Sequence, residues 1–319
     1  MTFPIFANLR RLVLQTPTLL TIAVGLVFVV YQQIIGPLPM VVQFMFCGSL
    51  LVVAGIPHGA LDHLVERERA ARLGQSFSLL GFLAKYLFTM GVYAGAWLLA
   101  PVPCLLVFLL ISAWHFGETD LDTAPETAYW SLARLSAGGF VLAFILLTHA
   151  AETTPILTRI VQNNELATSV WQGIIVQTGA VLRGWATLTL VLMMLAFGQR
   201  PALVDGWRMA RLLAIVGLTY YLPLLPAFML YFGGWHALSS FNTLRDYLPM
   251  NTTDLAKSAW QVWQQSLPLT GIAFGFLGIC AVGWHYAAPN LDPLPILFIL
   301  LSLITLPHIG VMHTINTNK

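Results

Sequence analysis

Long apolar runs with few charged residues fill most of this 319-residue chain and constrain its fold more than any other feature. Only 9% of the residues are charged, against about 25% in a soluble domain, and 58% are hydrophobic. Inside lipid every backbone polar group must be satisfied within the spanning element, and about 20 apolar residues make one membrane-crossing helix. The sequence therefore predicts an all-α, polytopic integral membrane helix bundle.

Prolines and charged residues divide the apolar runs into about ten predicted transmembrane helices, give or take two. The predicted spans cover residues 17–35, 39–58, 78–99, 101–116, 130–149, 183–199, 209–224, 225–242, 268–286 and 293–313. Two further segments, 153–179 and 254–265, fit either amphipathic helices at the membrane surface or plain loops. Since no repeat, low-complexity tract or linker interrupts the chain, we predict a single transmembrane domain over residues 1–319.

The distribution of lysine and arginine predicts that both termini lie on the cytoplasmic side of the membrane. Most basic residues then share that side: Arg10, Arg11, Arg67, Arg69, Arg72, Arg200, Arg208, Arg211, Arg245, Lys257 and Lys319. Arg159 and Arg183 remain outside. The net charge of +2 and the absence of a basic tract exclude nucleic acid as a partner.

Histidines inside or at the ends of apolar runs are the main functional signal. In the ten-span topology, four of them fall in the cytoplasmic half of four helices that run in the same direction. They are His58, His115, His236 and His308. Imidazoles from facing helices at one depth can bind a metal ion in a bundle core, and we predict that these four do so. His149 and His285 fall on the opposite side and are predicted to be polar helix ends at the interface.

Residues near these histidines fit supporting roles. Asp62 follows His58 by four positions and Glu118 follows His115 by three, so each pair shares a helix face. A carboxylate there can accept the N–H of a ligating imidazole and orient the ring. His63 and His313 are further candidate ligands, although they also fit a position facing the lipid headgroups.

Aromatic residues near the predicted site are candidates for an apolar substrate tunnel, although core packing explains them equally well. They are Trp114, Tyr220, Tyr221, Tyr231, Phe232 and Trp235. The acidic residues Asp120, Asp122 and Glu126 are most simply a solvated turn.

The donor set and the missing motifs favour a particular chemistry. Four histidines without cysteine disfavour structural zinc, and a four-histidine Fe(II) site leaves two octahedral positions open. The chain contains no nucleotide fingerprint, P-loop or flavin motif that would supply a reductant. Oxidative cleavage of an electron-rich double bond by O2 needs none, so cleavage of a polyene fits.

Four motifs resemble those of the Brp/Blh family, which are bacterial and archaeal membrane β-carotene 15,15′-dioxygenases. They are Gly55-Ile-Pro-His-Gly-Ala-Leu-Asp-His63, Trp114-His115-Phe116-Gly117-Glu118, Gly234-Trp235-His236 and Leu306-Pro307-His308. The resemblance implies cleavage of β-carotene, or a related carotenoid, by Fe(II) and O2 into two retinal molecules. It also implies location in a bacterial or archaeal cytoplasmic (inner) membrane, lipid as surroundings and a microbial rhodopsin as possible acceptor of retinal.

The same resemblance implies that His58, His115 and His236 are iron ligands. Relatives often carry a second histidine one turn after Trp-His, where this chain has Ser240. Either His308 completes the ligand set here, or the iron site differs.

Three other functions fit parts of the pattern. A di-iron desaturase or hydroxylase needs closely spaced histidine boxes of the H-x-x-H-H kind, which this sequence lacks. A bis-histidine haem protein needs histidine pairs at two depths, whereas four here share one depth. A metal-free carotenoid or retinal carrier, or a proton-coupled transporter, would use the histidines and carboxylates as a proton relay.

Overall fold

A computed structural model describes residues 16–202, 204–287, 290 and 292–317 of the chain. Arg10, Arg11 and Lys319, on which the predicted orientation partly depends, lie outside the described residues. Every regular element in the described part of the chain is helical, which confirms the all-α prediction.

The elements follow one another along the chain with short connections. They are α1 (Thr18–Ile34), α2 (Met40–Leu50), the π-helical segment π1 (Leu51–Gly55), α3 (Ile56–Gly59), α4 (Asp62–Arg72), α5 (Leu79–Leu99), α6 (Pro101–Asp120), α7 (Ala128–Thr148), α8 (Ala150–Ile160), α9 (Glu165–Val176), α10 (Thr178–Gln199), α11 (Gly206–Thr219), α12 (Leu224–Tyr231), the π-helical segment π2 (Phe232–Ala237), α13 (Leu238–Tyr247), α14 (Leu255–Ala287) and α15 (Leu294–Thr317).

Seven helices within the described residues are long and apolar enough to cross a membrane. They are Met40–Arg72, which joins α2 to α4, and Leu79–Leu99, Pro101–Asp120, Ala128–Thr148, Thr178–Gln199, Leu255–Ala287 and Leu294–Ile315. Thr18–Ile34 is a shorter apolar helix. These helices support a membrane protein, while the count of ten spans and the cytoplasmic location of both termini remain predictions.

The helix boundaries follow from local sequence. Ser78, Thr127 and Asp205 each precede a helix, and each side-chain oxygen accepts a backbone N–H of the first turn. Pro101 opens α6, where its missing N–H would have had no helical partner. The two segments for which the sequence allowed either an interfacial helix or a loop are both helical. Residues 153–179 lie mostly in α8 and α9, and residues 254–265 lie almost entirely in the first turns of the 33-residue α14.

The contacts divide the chain into two compact units. The first comprises residues up to 75 and residues 205–278, and the second comprises residues 76–204 and 279 onward. The division into two units does not test whether the chain is a single functional domain, which stays a prediction.

In the first unit, α1 packs against α11 and π2, while π1 packs against π2. Gly234 makes the approach of α1 possible, because a Cβ at this position would overlap the side chain of Thr21. Gly233 has the same role towards α2, since a Cβ there would lie 2.9 Å from the Cβ of Leu50. Small residues at helix contacts are the usual means by which membrane helices come close together.

In the second unit, α7 lies between α6 and α10. A Cβ at Gly138 would overlap the carbonyl oxygen of Ala113, so the backbones of α6 and α7 are in direct contact. Polar groups link α7 to α10, because the Trp185 indole donates to the carbonyl of Ser136 at 3.0 Å. Interhelical hydrogen bonds of this kind stabilise bundles in lipid.

The acidic segment at the end of α6 is only in part the solvated turn that its composition predicts. Glu126 is exposed, but Asp120, the last residue of α6, is buried with 2% of its surface exposed. Arg134, itself buried on α7, donates to the carbonyls of Leu121 and Ala124 and to Glu126, the last at 2.7 Å. The buried guanidinium therefore orders the loop, because its fork of N–H donors satisfies several acceptors at once.

Candidate metal centre

The first unit contains a buried pair of histidines. His58 lies in α3, directly after π1, and His236 lies in π2; only 4% and 0% of their surfaces are exposed. Their ring centroids are 5.7 Å apart, with the rings nearly perpendicular. Phe232 contacts both rings, with centroid distances of 5.9 Å to His58 and 6.1 Å to His236. The pair is therefore flanked by an aromatic ring.

A proline sets the local geometry of His58. Pro57 has no N–H to donate to the carbonyl of Val53, which is its partner in a regular α-helix. The Trp263 indole N–H of α14 donates to that carbonyl instead, at 3.1 Å. The π-helical turn just before Pro57 accommodates the irregularity, and such turns are frequent at functional sites.

The tautomer of His58 follows from its backbone contact. Nδ1 of His58 lies 3.2 Å from the carbonyl oxygen of Ala54. Since a carbonyl can only accept, Nδ1 carries the hydrogen, and Nε2 keeps the lone pair that a metal ligand needs. Asp62 is buried at the start of α4, and its predicted role in orienting His58 stays a prediction. Nδ1 of His63 contacts the carbonyl of Ala60 at 2.9 Å.

Ser240 stands one turn after His236 and bonds to the backbone. Its hydroxyl donates to the carbonyl oxygen of His236 at 2.9 Å, and 2% of the residue is exposed. The hydroxyl thus supports the irregular backbone of π2. The structure gives Ser240 a role in shaping the turn that carries His236.

The second unit contains a second buried pair. His115 on α6 and His308 on α15 have ring centroids 5.0 Å apart at an angle of 90°. Only 4% and 5% of their surfaces are exposed. Pro307 directly precedes His308, so a proline stands before one histidine of each pair.

Glu118 lies closer to His313 than to His115. Its Oε1 lies 2.6 Å from Nδ1 of His313, whereas its Oε2 lies 4.0 Å from Nδ1 of His115. The second separation exceeds hydrogen-bond distance. The Glu118 side chain is 3% exposed and that of His313 is 42% exposed, so this contact joins a buried carboxylate to an accessible imidazole. The predicted support of His115 by Glu118 remains a prediction.

The aromatic tunnel candidates fall into separate places. Phe232 flanks the first histidine pair, while Tyr231 and Trp235 are fully buried near it in sequence. In contrast, Tyr220 and Tyr221 are 57% and 51% exposed and contact each other at 5.1 Å. Their exposure fits a surface position rather than a tunnel wall.

Trp114, the sixth tunnel candidate, is half-buried beside His313, with ring centroids 6.0 Å apart. His285 is exposed, as expected for an interfacial helix end. His149 is instead buried, because α8 begins immediately after it and its Nδ1 bonds the carbonyl of Ile145 at 2.7 Å.

Two groups that support the site were not predicted from the sequence. Trp263 was placed in a possible surface helix, and the Ala54 carbonyl belongs to a featureless apolar run. The proline before His58 was the available signal, because it implies a freed carbonyl one turn earlier that needs a donor. Which distant residue supplies that donor could not be read from the local sequence.

Both pairs fit nitrogen ligation of a metal ion. The imidazoles are buried beside apolar or aromatic groups, and the His58 contact leaves Nε2 able to donate a lone pair. Neutral imidazole is a good ligand for iron, copper, zinc and nickel. The donor set thus fits the predicted Fe(II) without requiring it.

The chain is similar to known proteins over most of its length. The model of a family described as beta-carotene 15,15′-dioxygenase matches residues 49–316. A beta-carotene 15,15′-dioxygenase of uncultured marine bacterium 66A03 is 27% identical over 199 residues, which cover 61% of this chain and 66% of that protein, just under two thirds. No solved structure matches significantly.

A second relative, the probable beta-carotene 15,15′-dioxygenase Blh of Halobacterium salinarum, is 25% identical over 298 residues, covering 82% of this chain and 81% of that protein. The family match contains all four histidines of the two pairs. Because it runs from residue 49 to residue 316, the chain belongs to the β-carotene 15,15′-dioxygenase family.

Proposed function

We propose that this protein cleaves the central 15,15′ double bond of β-carotene with O2 to give two molecules of retinal. Membership of the family supports the reaction type, and the names of both relatives agree with it. The observation that carries the proposal is the presence of two buried histidine pairs, His58 with His236 and His115 with His308.

We assign Fe(II) as the cofactor and the four paired histidines as its ligands, one ion being bound per chain. Fe(II), when bound, would supply the activation of O2. Histidine must be neutral to bind a metal. At His58 the Ala54 carbonyl also fixes which nitrogen is available.

The chain's own residues bind the polyene and keep water away. A carotenoid is apolar along its length, so Phe232 and the neighbouring apolar side chains offer it favourable contacts. The balance needs no external reductant: the double bond breaks, and each of its two carbons takes one oxygen atom of O2 as an aldehyde. Positioning the double bond and excluding water are then the contributions of the protein.

The membrane supplies the route for the substrate. A carotenoid dissolves in the hydrocarbon of the bilayer and enters laterally between helices, without crossing water. We place the protein in the cytoplasmic membrane of a bacterium or archaeon, in line with the sources of its relatives. A microbial rhodopsin that accepts retinal is the corresponding partner.

Metal content is the first test. The protein purified in detergent should contain about one iron per chain by elemental mass spectrometry, and His58→Ala and His115→Ala should each lose it. His285→Ala, at an exposed histidine, is the matched control and should keep the iron. Two irons per chain, each lost only with one histidine pair, would contradict a shared ion.

Product analysis tests the reaction itself. Protein supplied with β-carotene under 18O2 should form retinal that carries one 18O per molecule, if the aldehyde is reduced at once to retinol to prevent exchange with water. His58→Ala should form none, while His285→Ala should match the wild type. A protein without metal that binds carotenoid but leaves it intact would be a carrier, and the proposal would then fail.

A further inference from the structure

Arg211 is a buried cation in the first unit with a neutral partner. It lies on α11 with 9% of its surface exposed, and its Nη1 donates to the hydroxyl of Thr18 on α1 at 2.6 Å. Its Nε is buried and has no hydrogen-bond partner. A guanidinium offers five N–H donors in a fixed fork, so the recorded hydrogen bond leaves most of its capacity for an anion unused.

Asp205 attracts Arg211 electrostatically, but no acidic side chain within the described residues forms a hydrogen bond or a direct ion pair with it. None of the residues outside the described part has an acidic side chain; they are 1–15, Leu203, Ala288, Pro289, Leu291, Asn318 and Lys319. Asp205, at the start of α11, caps the helix by accepting the Trp207 N–H at 2.9 Å. Since no carboxylate is bonded directly to this buried guanidinium, it keeps N–H donors that an anion from outside the chain can satisfy.

A second arginine lies one turn earlier on the same helix. Arg208 stacks on the Trp235 ring at 5.1 Å from its centroid, and Arg211 approaches the same ring at 5.8 Å. The indole face attracts both cations and orients them, but it supplies no negative charge. Two guanidinium groups therefore lie against one indole ring, and one of them is bonded to the Thr18 hydroxyl. Guanidinium groups on one helix face offer donors that suit a phosphate group.

The exposed surface of α11 identifies the source of that phosphate. Trp207 is 57% exposed at the start of the helix, and Leu213 is 69% exposed almost two turns further on. Tryptophan near an arginine, followed by an exposed apolar side chain, is typical of a helix that passes from the headgroup region into the hydrocarbon. A phospholipid at this position can place its headgroup phosphate at the arginines and its acyl chains along the exposed apolar side of the helix.

We propose that Arg211, Arg208 and Thr18 form a binding site for the phosphate of an anionic membrane phospholipid. The guanidinium of Arg211 donates to the phosphate oxygens, and Thr18 and Trp235 hold the two arginines in place. The acyl chains lie along the exposed apolar side of α11. Since Trp235 directly precedes His236, the bound lipid supports the segment that carries one of the candidate ligands.

The test measures bound lipid on the full-length protein in detergent by native mass spectrometry. Phosphatidylglycerol should bind more tightly than phosphatidylcholine, and Arg211→Gln should weaken phosphatidylglycerol binding about tenfold, the loss expected for charge-assisted hydrogen bonds. Arg200→Gln is the matched control, because Arg200 is exposed and predicted to lie on the same side of the membrane. It should bind phosphatidylglycerol as the wild type does.

A second variant and a competition with inorganic phosphate make the test decisive. If Arg211→Gln aggregates on gel filtration, the half-buried Arg208→Gln replaces it and should also weaken binding. Equal binding of both lipids by the wild type, or no difference between these variants and Arg200→Gln, would overturn the proposal. Displacement of phosphatidylglycerol by equimolar inorganic phosphate would show that free phosphate, not lipid, is the ligand. The bound mass is read without iron or carotenoid, so it does not depend on the proposed cleavage activity.

Discussion

Replacement of Gly138 by alanine is expected to force α6 and α7 apart. A Cβ at this position would overlap the carbonyl oxygen of Ala113 and lie 2.6 Å from the backbone nitrogen of Gly117. Both obstacles belong to the backbone of α6, so no rotation of a side chain can relieve them. The helices must separate, or the backbone must distort.

The expected loss in the free energy of unfolding follows from two opposing effects. Overpacking at a tight contact costs about 1–3 kcal/mol, and more where the obstacle is backbone. Alanine gains about 1 kcal/mol over glycine in a helix interior. Because both obstacles are backbone atoms, we take a cost of about 3 kcal/mol, and after the helix gain we expect Gly138→Ala to lower the free energy of unfolding by about 2 kcal/mol. Because His115 follows Ala113 by two residues, iron content should fall as well.

Gly91→Ala is the matched control for this prediction. Gly91 lies within α5, and a Cβ there would meet no atom within 4 Å, so only the gain in helix propensity remains. Both variants are titrated with denaturant in mixed micelles, with helicity followed by circular dichroism and iron measured in parallel. If Gly138→Ala proves as stable as Gly91→Ala, the direct backbone contact between α6 and α7 is refuted.

Three further predictions concern the surroundings of the histidines. Trp263→Phe removes the indole N–H that donates to the Val53 carbonyl, and chemical denaturation should show the free energy of unfolding lowered by about 1 kcal/mol. In a Pro57→Ala background residue 57 regains an N–H for that carbonyl, so the same Trp263→Phe change should cost less. Ser240→Ala should keep its iron by elemental analysis, because the serine hydroxyl bonds the His236 backbone; loss of iron would instead make Ser240 a ligand. Iron retained after dialysis should decline as the pH falls below about 6.5, since protonated histidine cannot bind metal, and a flat profile from pH 8 to 5 would contradict histidine ligation.

The helical fold could be predicted from sequence because its cause is local. Runs of about 20 apolar residues can satisfy their backbone groups in lipid only as helices, so most helices were placed to within a few residues. The exceptions lie where polarity is mixed. Residues 255–265 form the first turns of α14, because the helix begins before the apolar run and continues through Pro268.

The candidate histidines could also be found from sequence, since each stands out in an apolar run and two follow a proline. Their supporting contacts could not. Helical spacing suggested His115, three residues away, as the partner of the Glu118 carboxylate, and the structure adds a contact of 2.6 Å with His313, which is 195 residues away in the chain. Helical spacing identifies neighbours on one helix, whereas the packing of α6 against α15 decides which of several histidines lies nearest to Glu118.

The sequence by itself determined an all-helical membrane protein, its family and the histidines on which its chemistry is expected to depend. Tertiary structure alone decided how these histidines pair, which nitrogen of His58 faces the backbone, and that Arg134 and Arg211 are buried. The physical reason is the range of the interactions. Hydropathy and helix breaking act within a few turns, whereas the Trp263 bond to Val53 joins residues 210 positions apart and exists only once the helices pack.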